Sequence, residues 1–266
     1  MKAINELQKE ADNLRNNGKT TAAISLYKKI FKTANNTKDW KVAGHAIQMI
    51  GVCYKIDNET KSSLNWLKKA SEYYEQHDLN DEVGDCLRDI AITYEYKNQL
   101  IKAETLLKRA LGLFTDRKDS SFGITLAKLG LVQTRRKFYP EARKNLSESI
   151  KILEKTDNWF FLGTAKWHLA GLFVAEKDYN KAIKELLEVI ELFKKHPEQP
   201  HLRRFGQFYG LISYCYATTG DTENAKRYFK DSMRIIQSGD FTPEAQMVIL
   251  KDIIAEKTLE ILKKSR

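Results

Sequence analysis

Apolar residues recur along the chain at spacings of three and four, and clusters of polar turn residues interrupt them about every twenty residues. This pattern is typical of amphipathic α-helices joined by short turns. It predicts twelve helices, over 2–16, 20–34, 39–56, 60–76, 80–97, 100–115, 120–137, 139–155, 159–176, 179–195, 201–218 and 222–237. A thirteenth is predicted over 243–264, because Thr242 is a good N-cap residue and Pro243 suits the first helical position.

Small residues divide these helices into repeats. Glycine falls at 44, 84, 123, 163 and 206, at intervals of 40, 39, 40 and 43 residues. Two further sets of small residues follow in phase, one at 51, 91, 130, 170 and 213 and the other comprising Ala23, Ser63, Ala103, Ala142, Ala182 and Ala225. Self-similarity at such a period is typical of a solenoid. We therefore predict an all-α solenoid of six helix pairs, over 1–36, 37–78, 79–117, 118–156, 157–197 and 198–240, with a C-terminal capping helix in 241–266.

The small residues have a packing role in this interpretation. Where two antiparallel helices cross closely, Gly or Ala leaves room for a large neighbour, and we expect residues such as Tyr54, Tyr94 and Phe173 to fill the gaps. The longest interval coincides with His196-Pro-Glu-Gln-Pro200, where two prolines end a helix. We interpret that segment as a longer loop between repeats and not as a domain boundary.

The phased residues resemble the tetratricopeptide repeat (TPR) family. The segment Gly51-x-x-Tyr54 is similar to its first-helix signature, and Ala182-x-x-x-Leu186 is similar to its second-helix signature. The repeat of about 40 residues resembles the long-repeat branch that includes Rap-type, MalT-type and Pins-type arrays. The resemblance implies a right-handed superhelix whose first helices line a concave groove, which is the usual ligand surface of such solenoids.

Composition agrees with a helical chain, since 266 residues include only four prolines and thirteen glycines. Cys53, Cys86 and Cys215 lie in different repeats without a CxxC spacing, which favours free thiols in a reducing compartment over disulfides or a zinc site. The chain does not open on a signal peptide, and no apolar run approaches the roughly 20 residues of a membrane span. We expect a soluble, cytoplasmic protein with no membrane contact.

Sequence motifs for catalysis are absent. Gly18-Lys19-Thr20 resembles the end of a phosphate-binding loop, but Asn13 stands where that motif needs glycine, so a helix–helix turn is the better interpretation. The five histidines form no HExxH motif and no i,i+4 pair, and neither a GxSxG motif nor a Gly-rich nucleotide fingerprint occurs. We expect a non-enzymatic protein with no catalytic residue, no metal site and no cofactor.

Basic residues exceed acidic ones, 45 against 35, which gives a net charge of +10 and favours acidic partners. The cations recur in the second helices, on the face expected to meet solvent, as Lys28-Lys29, Lys68-Lys69, Lys108-Arg109, Arg143-Lys144 and Lys194-Lys195. This distribution is also typical of a convex surface that is charged for solubility. Nucleic-acid binding is disfavoured, because no helix-turn-helix or RNA-binding signature occurs and the aromatic residues occupy packing positions.

Counting helical spacing from the packing glycines picks out residues that should face the groove. The candidate peptide-binding residues are Gln48, Lys55, Arg88, Lys128, Arg135, Trp167, His168 and Tyr214. Within this set, the residues at 88, 128 and 168 are 40 apart and should form a ladder of donors to a carboxylate or to peptide carbonyls. One alternative is that the cations pair internally with Asp85, Asp89 or Glu95. The indole at 167 has its own alternative, which is packing between repeats.

These observations favour a scaffold or adaptor that binds a protein or peptide, with acidic character favoured by the net charge, in the concave groove. Two alternatives remain: a regulatory sensor of a small signalling peptide, and a nucleic-acid-associated accessory protein that uses its basic surface. The thirteenth helix should cap the sixth repeat with an apolar side that includes Met247, Leu250 and Ile254. Val248 and Ile249 widen that side, which leaves a homodimer contact through this helix as an alternative.

Overall fold

The computed structural model describes residues 2–116, 119–196 and 202–238, in which all regular structure is α-helical. The helices are α1 (Lys2–Asn16), α2 (Thr20–Asn36), α3 (Trp40–Ile56), α4 (Thr60–Glu75), α5 (Asn80–Tyr96), α6 (Leu100–Leu113), α7 (Ser120–Arg135), α8 (Tyr139–Leu153), α9 (Trp159–Ala175), α10 (Tyr179–Lys194), α11 (Leu202–Thr219) and α12 (Thr222–Ser238). Each of the twelve predicted repeat helices is confirmed, with ends that agree to within two residues. The predicted capping helix over 243–264 lies outside the described residues.

The chain divides into two compact units, Met1–Arg136 and Lys137–Arg266. Unit 1 contains α1 to α7, and unit 2 contains α8 to α12. Within each unit, consecutive helices pack against each other. In unit 1 the alternate helices α3, α5 and α7 are also in contact, so the first helices of successive pairs lie side by side.

Most turns between these helices contain a residue with a left-handed backbone. The residues are Lys38, Asn58, Asp78, Asn98, Lys137 and Lys177, with φ from 56° to 65°, together with Gly18 and Gly220. In the turn after α3, the Glu59 N–H donates to the Tyr54 carbonyl and the Asn58 N–H donates to the Lys55 carbonyl. These bonds satisfy carbonyls that a helix C-terminus leaves free. Most of these residues are not glycine, so glycine positions alone do not reveal the turns.

Gly44, Gly51, Gly84 and Gly163 mark close approaches of first helices to the large side chains that follow them, as predicted. A Cβ at Gly51 would lie 2.8 Å from Cγ of Leu67 on α4, and one at Gly163 would overlap the buried Phe193 ring on α10. Gly44 meets Tyr74 and Gly84 meets Phe114 in the same way. The expectation that Tyr54 fills the gap at Gly51 is wrong, because Tyr54 lies one turn further along the same helix while the gap faces the second helix.

The core of each unit is built around the third set of small residues. Ala23, Ser63, Ala103, Ala142, Ala182 and Ala225 are all fully buried. The three cysteines are free and buried, and burial raises the pKa of Cys53 to about 11 and that of Cys215 to about 12. No helix in the described ranges is long and apolar enough to cross a membrane.

Candidate functional site

The first-helix face of unit 1, formed by α1, α3, α5 and α7, carries a chain of polar contacts from helix to helix. Gln8 on α1 lies 3.2 Å from the His45 ring on α3, measured from Nε2 to Nδ1. Burial lowers the pKa of His45, which favours its neutral form. At the other end of α1, Arg15 forms an ion pair with Asp12 at 3.0 Å. The polar row therefore begins in the first helix of the chain.

Asp89 on α5 is the best-partnered carboxylate on this face. Gln48 Nε2 donates to its Oδ2 at 2.8 Å, and Lys55 Nζ donates to its Oδ1 at 3.0 Å, both from α3. Burial raises the pKa of Asp89, but the attraction of Lys55 and Arg88 and the two hydrogen bonds outweigh it, so the pKa lies below its ordinary value. Asp89 is therefore an ionised anchor that holds the Lys55 ammonium in place.

Arg88 on α5 connects that helix to α7. Its Nη1 pairs with Asp85 and donates to Thr125 Oγ1 at 3.3 Å and to the Ser121 carbonyl at 3.4 Å. Burial raises the pKa of Asp85, and the attraction of Arg88 offsets that rise only in part. The internal pairing left open by the sequence is thus present for Arg88.

Arg135 at the end of α7 forms a third such contact. It pairs with the Glu95 carboxylate and donates to the Glu95 carbonyl at 3.2 Å and to Asn98 Oδ1 at 3.1 Å. Between this pair and Arg88, Lys128 and Leu131 line a small apolar cavity between α5 and α7. Lys55, Arg88, Lys128 and Arg135 therefore lie along one face, and their role in peptide binding stays a prediction.

The other predicted residues have different surroundings. Gln48 is buried beneath Asp89, so it positions the carboxylate and does not meet solvent. In unit 2, His168 is buried and stacks on Trp167, whose ring also packs edge-on against Phe208 of α11 at 5.8 Å. The half-buried Tyr214 ring packs edge-on against Tyr179 at 6.0 Å. These contacts are inter-helix packing within unit 2.

Sequence reasoning missed the contribution of α1. Gln8 and Gln48 are 40 residues apart, as are Arg15 and Lys55, so the same ladders extend back into the first repeat. The 40-residue spacing is the signal that reveals these positions. Ile4 stands where the first repeat would carry the packing glycine, so the glycines alone do not mark this repeat.

No group of three or more His, Cys, Asp or Glu side chains that could hold a metal ion occurs in the described parts of the chain. The polar groups of the first-helix face are instead alternating cations and carboxylates.

The family model that matches the sequence is that of the tetratricopeptide repeat, over residues 206–238. A segment of 125 residues, 47% of the chain, is 31% identical to RNA polymerase-associated protein CTR9 of Saccharomyces cerevisiae. The match spans only 11% of the length of CTR9, so it is a likeness to a small part of that protein.

Similar solved structures extend the likeness over nearly the whole chain. BtubC (BKLC) from P. vanneervenii has a TM-score of 0.66 at 12% identity, over 91% of this chain and 95% of its own. A Rap protein complexed with competence and sporulation factor also has a TM-score of 0.66 at 12% identity, over 99% of this chain and 85% of its own. At such identities the likeness is one of fold, and it confirms the predicted helical repeat architecture.

Proposed function

We propose that this chain, a tetratricopeptide-repeat protein, is a non-enzymatic scaffold that binds an extended peptide or protein segment on the first-helix face of unit 1. The observation that carries the proposal is a row of cations that carboxylates hold in place while donors remain for a ligand. The Lys55 and Arg88 side chains are 19% and 14% exposed, so both are held against the protein surface and are partly accessible to solvent.

Arg88 and Lys55 each keep N–H donors that a ligand can use. All the hydrogen bonds that Arg88 donates within the described structure use Nη1, which leaves the N–H groups of Nε and Nη2 for a ligand. Lys55 uses one of its three N–H groups on Asp89. A peptide carbonyl or carboxylate that reaches this row therefore meets donors already in position.

Fixing these side chains in advance strengthens binding. A free Lys or Arg loses about 1–2 kcal/mol of rotamer entropy when it is immobilised. On this face Asp89 and Asp85 have already restricted Lys55 and Arg88, so a ligand loses less free energy when it binds. In the described part of unit 2, the predicted residues Trp167 and His168 stack on each other, and Trp167 also packs against Phe208 of α11, so their rings serve in packing.

The test begins with a random peptide library displayed on phage and selected against the full chain. Binding of a selected synthetic peptide is then measured for wild type, for Lys55→Gln with Arg88→Gln, and for a control with Lys144→Gln and Lys195→Gln. The groove pair should weaken binding by about tenfold to a hundredfold, since each hydrogen bond to a charged group contributes about 1.5–3 kcal/mol and water replaces part of it. The control removes the same charge from two exposed positions of unit 2, one on α8 and one directly after α10.

A second variant separates charge from geometry. Arg88→Lys keeps the positive charge but removes the planar guanidinium, so it should weaken binding nearly as much as Arg88→Gln if the free Nε and Nη2 edge contacts the peptide. Equal binding by wild type and the groove pair, with helicity unchanged in both, would refute the proposed face.

A further inference from the structure

The second helices of unit 1 form a surface with an unusual charge. The second-helix face is defined by the outward side chains of α2, α4 and α6. These helices carry nine cations, Lys28, Lys29, Lys32, Lys61, Lys68, Lys69, Lys102, Lys108 and Arg109, against three acids, Glu72, Glu75 and Glu104. All nine cations are exposed, whereas Glu104 is buried. The face is therefore strongly electropositive.

Side-chain contacts show that the three helices make one surface. The Tyr73 hydroxyl on α4 donates to Asn35 on α2 at 2.8 Å. Arg109 on α6 forms an ion pair with Glu75 on α4 at 3.4 Å. The positive charges on neighbouring helices therefore act together on anything that lies across them.

Few of these charges are neutralised. Lys108 pairs with Glu104 and Arg109 with Glu75, but none of the other seven cations has an ion-pair partner in the described structure. A surface charged only for solubility mixes both signs. Helix α10 in unit 2 is such a surface, with three lysines and three glutamates, whereas α2 has three lysines and no acid. Solubility alone does not account for the difference.

The same face carries an exposed apolar residue on α6. Ile101 at the start of α6 is 69% exposed and lies four and seven residues before Thr105 and Lys108, on the same side of the helix. An open depression beside Ile101 is lined by Asn98, Gln99, Leu100, Ile101, Lys102 and Arg136. Tyr96, which is 75% exposed, ends the first helix α5 and does not belong to this face. This end of the face therefore offers an aliphatic contact next to Lys102.

The apolar residues distinguish between the two kinds of polyanion that could bind, a nucleic acid and an acidic segment of a protein. Non-specific nucleic-acid surfaces combine cations with free aromatic faces on which bases stack. Here Lys69 covers the Trp66 ring at 4.8 Å and Lys102 covers the Tyr94 ring at 5.5 Å. On α2, α4 and α6 the large apolar side chain that is exposed is the aliphatic Ile101, which suits a side chain of a peptide better than a base.

We propose that the second-helix face of unit 1 is a second docking surface, which binds an acidic segment of another protein and packs one aliphatic side chain of that segment against Ile101. The proposal does not depend on the first-helix face. It gives the chain two surfaces on opposite sides of the same helix pairs, one for each of two partners.

The test uses the full chain and a labelled synthetic peptide of aspartates and glutamates with one leucine, with binding followed by fluorescence anisotropy. Lys28→Glu with Lys32→Glu and Lys68→Glu should weaken binding by about tenfold or more, because three attractive contacts become repulsive. The control with Lys184→Glu, Lys195→Glu and Lys226→Glu has the same net charge and should change binding by less than about twofold.

A second comparison tests the apolar contact. Ile101→Ser should weaken binding of the leucine peptide several-fold, and it should leave binding of the same peptide with Leu→Ser unchanged. All the substituted positions are exposed, and circular dichroism of each variant establishes that the variant is folded. The proposal is overturned if the two triple variants weaken binding equally, which would indicate charge alone. It is also overturned if a DNA duplex of equal charge binds as tightly as the peptide while Ile101→Ser has no effect.

Discussion

Two glycines on one helix allow a direct test of the packing that defines the repeat. Gly163 and Gly171 both lie inside α9, so replacing either by alanine improves helix propensity by about 1 kcal/mol. They differ in what the new methyl group would meet. At Gly171 nothing lies within 4 Å, whereas at Gly163 the methyl would overlap the Phe193 ring and lie 3.3 Å from Leu192 Cδ2.

The cost at Gly163 depends on whether the Phe193 ring can move. The ring is fully buried and packs edge-on against Trp159 at 5.3 Å and against Phe208 at 5.0 Å. Overpacking in a core costs about 1–3 kcal/mol, and a ring held on two sides argues for the upper part of that range. After the gain in propensity, we expect Gly163→Ala to destabilise by about 2 kcal/mol and Gly171→Ala to stabilise by about 1 kcal/mol.

Urea unfolding followed by far-ultraviolet circular dichroism measures both variants against wild type. The midpoints should move in opposite directions with an unchanged slope, since neither variant changes the surface exposed on unfolding. A thermal scan should show the same order, at about 2–4 °C per kcal/mol for a chain of this size. If Gly163→Ala is as stable as wild type, the phased glycines are not required by close helix crossings and the reasoning behind the repeat fails.

Other predictions follow from the described contacts. Lys177→Gly should stabilise by about 0.5–1 kcal/mol in urea unfolding, because a left-handed residue other than glycine is strained; no gain would argue against the turn geometry. The pKa of Asp89 is lower in the folded protein than in the unfolded protein, where it is about 3.9, so its ionised carboxylate stabilises the fold above that pH. This contribution is lost as the pH falls through the lower folded pKa. Wild type should therefore lose more stability than Asp89→Asn on acidification, and parallel pH profiles would contradict this. Cys53 and Cys215, with pKa values raised to about 11 and about 12, should react with a thiol reagent far more slowly in native than in unfolded protein; equal rates would show that they are accessible.

The repeat was readable from the sequence because it depends on local signals. Helical spacing and phased small residues recur within each pair of helices, and the twelve helices are found where that pattern places them. The sequence indicates where the turns lie but not which backbone conformation their residues adopt. Lys38 and Lys137 adopt left-handed backbone angles that nothing in their residue type indicates, since the flanking helices impose them.

The pairing of the candidate site residues was only partly readable. Spacing placed Lys55, Arg88 and Arg135 on one face, but which acid each one meets depends on the offset between neighbouring first helices. Arg135 meets Glu95, which is 40 residues or one repeat before it, whereas Lys55 meets Asp89, which is 34 residues after it. These offsets are set by packing between neighbouring helix pairs, so the sequence of a single repeat does not reveal them.

The distribution of charge separates the two proposed surfaces physically. On the first-helix face of unit 1, Arg15, Lys55, Arg88 and Arg135 pair with Asp12, Asp89, Asp85 and Glu95, so this row is close to neutral. The net charge of +10 therefore does not make the first-helix face basic, and we expect a ligand of this face to be recognised by hydrogen bonds at short range. On the second-helix face the lysines are mostly unpaired, and their attraction acts at long range.

Salt should therefore affect the two surfaces differently. At physiological ionic strength the screening length is about 8 Å, which weakens attraction between separated exposed charges but leaves a hydrogen bond at contact distance largely intact. The affinity of an acidic peptide for the second-helix face should fall steeply between low and physiological salt, whereas that of a groove peptide should change little. If the two salt dependences were equally steep, the carboxylates of the first-helix face would not be neutralising its cations in solution.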